Sequence, residues 1–108
     1  MHEELIRARR GEVRSLIDSL SRRHADFVEA SAWTTNDDEH DPEGATIAFE
    51  RAQVASLLRQ ARDELEQLDL AEQRLRDGTY GRCVKCGQPI GDGRLEALPA
   101  TTTCIRCA

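Results

Sequence analysis

The chain has 108 residues, of which 39% are hydrophobic, 4% aromatic and 32% charged. One Trp, one Tyr and two Phe are too few for a broad globular core, and the charge density favours long solvated helices over sheets. A net charge of −5 excludes a protein held to DNA chiefly by phosphate neutralisation, and no apolar run approaches the roughly 20 residues of a membrane span.

The segment Met1–Arg10 lacks the apolar core of a secretion signal, so the chain is expected in a reducing cytoplasm. Ile6, Val13, Leu20 and Phe27 recur every seventh residue, with Leu16 and Ile17 between them, and this spacing predicts a helix over 3–32. Gly11 falls opposite that stripe, where it lowers helix propensity by about 1 kcal/mol without opening a core. A polar connection from Trp33 to His40 then folds the chain back. Asp41-Pro42-Glu43 supplies an N-cap acceptor, a preset φ and an acid in the first turn of a second helix, expected over 42–77. In that helix Ile47, Val54, Ala61, Leu68 and Leu75 repeat at the same interval, and Leu57, Leu58, Leu65 and Ala71 widen the stripe. Gly78 supplies the left-handed stop.

Two matching series imply two helices that bury one face against each other. Arg9, Arg23, Glu50 and Glu64 stand at in-between positions that a strict seam would keep apolar, which points to a hairpin with a broad stripe and not to a long parallel zipper. The expected fold is mainly α: an antiparallel two-helix coiled-coil hairpin over 1–77, with its tip near 33–41 and its base near 1–8 and 74–80, followed by a small C-terminal four-cysteine zinc finger over 78–108.

The distal half of the hairpin is acidic. Between Arg23 and Arg51 there is no Lys or Arg, while Asp26, Glu29, Asp37, Asp38, Glu39, Asp41, Glu43 and Glu50 all fall there. One reading is a solvated turn; the other is a negative probe aimed at a metal ion or at basic groups of a partner. Asp41 also serves as a helix cap, whereas no cap claims Asp38. His24 lies beside the stripe, as a packing or solvent-facing residue. His40 in the tip is a candidate for partner binding and, as one His among acids, a weak metal site, and Trp33 either covers the end of the helix pair or anchors a partner.

The last zone carries Cys83-x-x-Cys86, seventeen intervening residues and Cys104-x-x-Cys107. Each pair can hold one metal ion with two thiolates from a tight turn, and the loop is long enough to bring the pairs to opposite tetrahedral corners. Zn²⁺ suits four thiolates without redox change. The remaining apolar residues after position 77 are few, so metal binding, on the order of 10–16 kcal/mol, is expected to supply the folding energy. Gly87 is expected to let the turn close with backbone N–H groups aimed at sulfur. Arg82, Lys85 and Arg106 stand beside the ligands, where they offset the formal negative charge of the centre. A thiol redox pair fits less well, because no βαβ pattern surrounds the cysteines. Four sulfur ligands leave no position for water, and no nucleophile–base pair is visible, so no enzyme is expected.

The stretch Gly78-Thr79-Tyr80-Gly81-Arg82-Cys83-Val84-Lys85-Cys86-Gly87-Gln88-Pro89-Ile90, with Arg94-Leu95-Glu96-Ala97-Leu98-Pro99 and Cys104-Ile105-Arg106-Cys107, closely resembles the zinc finger of the DksA/TraR family. The hairpin before it fits that family's coiled coil. The resemblance implies that Cys83, Cys86, Cys104 and Cys107 are zinc ligands. It implies binding to bacterial RNA polymerase without promoter contact, with the hairpin in the secondary channel and acidic tip residues near the catalytic centre, shifting open-complex stability. Asp38 and Asp41 reproduce the Asp-x-x-Asp part of the family's tip motif, although the Ala expected two residues on is Glu43 and the nearest Ala is Ala45. In members that bind the alarmone ppGpp with polymerase, a basic residue precedes the Pro matching Pro99, where Leu98 stands, and another follows the last Cys, where Ala108 ends the sequence. The resemblance therefore does not support ppGpp coupling.

The expected function is a cytoplasmic, non-enzymatic regulator of transcription that binds RNA polymerase. The rival is a polymerase-independent coiled-coil adaptor with a purely structural zinc site. Direct nucleic-acid binding by the finger has only Arg82, Lys85, Arg94 and Arg106 in its support, and no sequence-specific DNA binding and no membrane association are expected.

Overall fold

The computed structural model describes residues 2–32 and 42–108. Helix α1 spans His2–Ala32, α2 spans Pro42–Asp77 and a short α3 spans Asp92–Ala97. Among the described residues no extended strand forms, and the only bridge is an isolated antiparallel one between Arg82 and Pro89. None of the described helices is long and apolar enough to cross a membrane. The molecule is elongated, with extents of 58 × 26 × 19 Å.

The two long helices lie antiparallel and share one seam. Ile6, Val13 and Leu20 of α1 are buried against Val54, Leu58, Ala61, Leu68 and Ala71 of α2, with Ile17, Phe27, Leu65 and Leu75 partly buried beside them. The seven-residue series thus marks the contact. The stripe is narrower and shorter than the sequence predicts, however: Leu16 and Leu57 at its flanks remain 46% and 42% exposed, and Ile47, one heptad before Val54, remains 46% exposed. Each helix has a single long neighbour, so only a narrow arc of its surface is covered. A wider arc needs a third layer, which the described residues do not provide. Beyond Val54 towards the start of α2, residues 44–53 are all exposed, Phe49 at 70% among them.

Of the polar residues at in-between positions, Arg9 and Glu64 pair across the seam, whereas Arg23 and Glu50 are exposed. The guanidinium of Arg9 donates to both carboxylate oxygens of Glu64 at 2.6–3.1 Å and to Glu12 one turn on at 3.1 Å. Glu64, and to a lesser degree Glu12, raises the Arg9 pKa. Arg10 reaches Asp69 at 2.8 Å and also pairs with Glu72. These pairs join the first turns of α1 to the second half of α2, which is the antiparallel register.

At its C-terminus α2 ends in a Schellman motif. Gly78 takes φ +77°, its N–H donates to Leu75 O at 3.3 Å, and the Thr79 N–H donates to Arg74 O at 2.9 Å. Arg74 and Arg76 in the last turn oppose the negative end of the helix dipole. The stop predicted at Gly78 is therefore present, and it turns the chain towards the cysteine-bearing end.

Candidate metal centre

The first cysteine pair sits in a tight turn closed by the backbone. The Cys83 N–H donates to Gln88 O and the Gly87 N–H donates back to Cys83 O, both at 2.9 Å. Gly87 adopts φ +76°, a conformation that costs a residue with a Cβ about 1 kcal/mol or more. The Gly87 amide satisfies the Cys83 carbonyl, and the turn so closed aims backbone N–H groups of Lys85 and Cys86 at the Cys83 sulfur. One step outward, Ile90 N–H bonds to Gly81 O at 2.8 Å, beside the Arg82–Pro89 bridge.

The second pair is a matching turn, with Cys107 N–H donating to Cys104 O at 3.0 Å. Two contacts tie the turns together: Val84 N–H to Thr102 O at 2.9 Å and Lys85 Nζ to Cys107 O at 3.2 Å. From α3, Arg94 Nε donates to Thr103 O at 2.9 Å and so fixes the approach to Cys104.

These constraints bring the four sulfurs of Cys83, Cys86, Cys104 and Cys107 within 4.8 Å of one another. The Cys86 and Cys104 sulfurs are 3.7 Å apart. A tetrahedral ion with metal–sulfur bonds of about 2.3 Å requires sulfur–sulfur edges of about 3.8 Å. The set therefore fits Zn²⁺ both in donor type and in spacing. Cys83 and Cys104 are buried, Cys107 is half-buried and Cys86 is exposed.

Protonation within the cluster is uneven. Backbone hydrogen bonding from Cys104, with weaker help from Cys86 and Lys85, holds the Cys83 thiol down to about 6 against its burial. At Cys104 burial opposes ionisation, but hydrogen bonds from the Arg106 and Cys107 backbone and from neighbouring sulfurs outweigh it and lower the pKa. Cys107 is pushed up to about 12 by hydrogen bonding to the Cys104, Cys83 and Cys86 sulfurs. Crowding of the sulfurs thus opposes a further negative charge at Cys107, an opposition that a bound dication would relieve.

A small apolar nucleus backs the sulfurs. Ile90 and Leu95 are buried with Cys83 and Cys104, and Tyr80 and Cys107 pack against them. The sequence shows no periodicity here, and α3 is not foreseen from it because six residues are too few to display a helical pattern. Tyr80 belongs to both apolar clusters. Its hydroxyl donates to Pro99 O at 2.7 Å, and its ring lies 5.2 Å from that of His2, centroid to centroid. Burial raises the Tyr80 pKa, with Arg74 opposing. His2 Nε2 also lies 3.4 Å from Asp92 Oδ1. Tyr80 is therefore the joint between the hairpin and the cysteine-bearing end; its place close to Gly78 and Gly81, as the only Tyr, is the available signal.

The other expected site residues fare differently. Asp38 and Asp41 lie outside the described residues, as do Trp33 and His40. Of the acids in the same interval, Asp26, Glu29 and Glu50 are exposed, and His24 is half-buried on α1.

An antiparallel helical hairpin with four clustered cysteines at its base defines a class of four-cysteine zinc-finger proteins. Residues 78–108 match the family described as the prokaryotic dksA/traR C4-type zinc finger. The RNA polymerase-binding transcription factor DksA of Caulobacter vibrioides is 30% identical over 103 residues, which cover 95% of this chain and 62% of that protein. General stress protein 16O of Bacillus subtilis is 39% identical over 62 residues, 57% of this chain and 38% of its own length. The solved structure of transcription factor DksA2 from Pseudomonas aeruginosa superposes with a TM-score of 0.79 at 26% identity, covering 98% of this chain and 76% of that one. Residues 78–108 thus carry the DksA/TraR C4-type zinc finger, and the likeness to DksA proteins continues through the hairpin. It spans less than two thirds of the length of these sequence relatives.

Proposed function

We propose that the chain is a non-enzymatic transcription regulator that binds RNA polymerase. Cys83, Cys86, Cys104 and Cys107 hold Zn²⁺, which supplies a cross-link between the two turns. Residues 78–108 anchor the base of the hairpin formed by residues 1–77. The hairpin enters the secondary channel and carries Asp38 and Asp41 towards the catalytic centre, where their charge acts on Mg²⁺ or on basic groups. A 36-residue α2, about 54 Å long, gives the reach for that task.

One observation carries this reading. The similarity to the Caulobacter DksA runs over 95% of the chain and is not confined to the finger. A zinc finger grafted onto an unrelated adaptor would match in its last third alone. Direct DNA binding by the finger loses ground for a separate reason. Arg82, Lys85 and Arg94 each donate to the finger's own carbonyls, at Gly87, Cys107 and Thr103.

Open-complex lifetime with purified RNA polymerase tests the proposal. The zinc-loaded chain is expected to change that lifetime severalfold. The Asp38→Asn/Asp41→Asn variant is expected to bind polymerase equally well and lose the effect. A parent chain that neither binds polymerase nor alters the lifetime would leave the polymerase-independent adaptor in its place.

A further inference from the structure

Among the described residues the three most exposed large apolar side chains are Ile105 at 79%, Phe49 at 70% and Val84 at 66%. They stand at opposite ends of the molecule. Val84 and Ile105 occupy the same place in the two cysteine turns, directly after Cys83 and Cys104, and the bond from Val84 N–H to Thr102 O holds the turns side by side. Arg106 is exposed next to Ile105. Arg82 and Lys85, which donate to the carbonyls of Gly87 and Cys107, keep their charge at the surface close by. Outside α3, residues 78–108 contain no Asp or Glu.

Phe49 has the opposite surroundings. It lies beyond Val54, the last buried seam residue of α2 towards the distal end, in a run, 44–53, that is exposed throughout. Eight carboxylates and no Lys or Arg fall between Arg23 and Arg51, and Asp26, Glu29 and Glu50 of that set are exposed. An apolar patch rimmed by cations at one end thus matches an apolar patch rimmed by carboxylates at the other. The long helices hold the two patches of one chain apart. A 36-residue α2 is about 54 Å long, close to the 58 Å long axis, so the finger widens the base instead of lengthening the rod. Two copies laid antiparallel set each broad finger beside the slim distal half of the other.

We propose that the chain pairs with a second copy in this way, with Val84 and Ile105 of one protomer against Phe49 of its partner and Arg106 among the partner's distal carboxylates. A two-fold axis makes the two contacts equivalent and closes the assembly at two copies. The net charge of −5 does not prevent it, because screening over about 8 Å is short against a 58 Å rod and leaves local pairing to decide. The dimer would cover the distal half that the proposed function sends into the polymerase, so it would be a reserve that dissociates before acting; this consequence rests on the polymerase-binding reading, and the dimer does not.

Sedimentation velocity on the full, zinc-loaded chain, from low to high micromolar concentration, tests the proposal without polymerase, so its failure is separate from a failure of the polymerase-binding reading. A concentration-dependent dimer is expected, and high salt is expected to weaken it at least tenfold. Phe49→Ser, Ile105→Ser and Arg106→Glu are each expected to weaken it at least tenfold, and Glu50→Arg added to Arg106→Glu is expected to restore part of the loss. Far-UV circular dichroism and zinc content verify that each variant folds. A monomer at every concentration would overturn the proposal, as would a dimer that these three single variants leave intact. A dimer dissolved by Leu16→Ser but not by Phe49→Ser would lie on the flank of the hairpin and overturn it too.

Discussion

The hairpin and the cysteine-bearing end bury different things. In the hairpin the buried seam is made of eight aliphatic side chains from two long helices. In the last 31 residues the buried set is Cys83, Ile90, Leu95 and Cys104, half of it sulfur. Each fully buried large aliphatic side chain contributes about 1.5–3 kcal/mol, so the seam can support two helices, whereas Ile90 and Leu95 cannot order a segment of that length. The contrast separates the two regions: side-chain burial orders the hairpin, whereas the cysteine-bearing end would draw its order from the proposed zinc site. Tyr80, which packs into both clusters, is where the two sources meet.

Removing metal should separate the regions most sharply. Chelation is expected to abolish order in residues 78–108, with a loss on the order of 10–16 kcal/mol of binding free energy, while most of the helical circular dichroism survives. Hydrogen exchange resolved along the chain measures this, and protection of the finger amides without metal would break the comparison. The converse experiment is Leu68→Ala, at a side chain with no exposed surface. It should lower hairpin stability by about 2–5 kcal/mol in thermal melts and leave the zinc content of the folded protein unchanged.

Gly11 sharpens the picture in the stabilising direction. It lies within α1, and a Cβ built there has no neighbour within 4 Å. Gly11→Ala should therefore raise hairpin stability by about 0.5–1 kcal/mol without altering the finger. The smallest effect expected is at Glu72. Hydrogen bonding from Arg10 holds its carboxyl below the ordinary range. A carboxyl whose pKa is depressed on folding stabilises the fold above its unfolded pKa, and that stability is lost as pH falls through the folded value. Glu72→Gln should thus melt slightly below the parent at pH 7, and the gap should start to close below about pH 4.3, the unperturbed glutamate pKa.

Much of this architecture is legible in the residues, and the exceptions have physical causes. The heptad-spaced Ile6, Val13, Leu20, Val54, Ala61 and Leu68 mark the seam because only one face of each helix finds a partner. Leu16 and Leu57 mislead because apolar character extends the sequence stripe past the arc that one neighbour can cover, and Ile47 because the buried seam ends one heptad later, at Val54. Arg9 and Glu64 are visible as interruptions, yet their meeting as a bidentate pair depends on the antiparallel register. The cysteine spacing announces a shared site because two short turns leave the sulfurs little choice of partner. Leu95 on the brief α3 and the Tyr80 joint are set by packing between segments distant in sequence, which local pattern does not record.

X-ray absorption on the purified, zinc-loaded protein addresses the anchor most directly. The account requires one zinc per chain, surrounded by a single shell of four sulfurs at about 2.3 Å. A shell containing nitrogen or oxygen, or a stoichiometry below one with disulfides among the four cysteines, would contradict it.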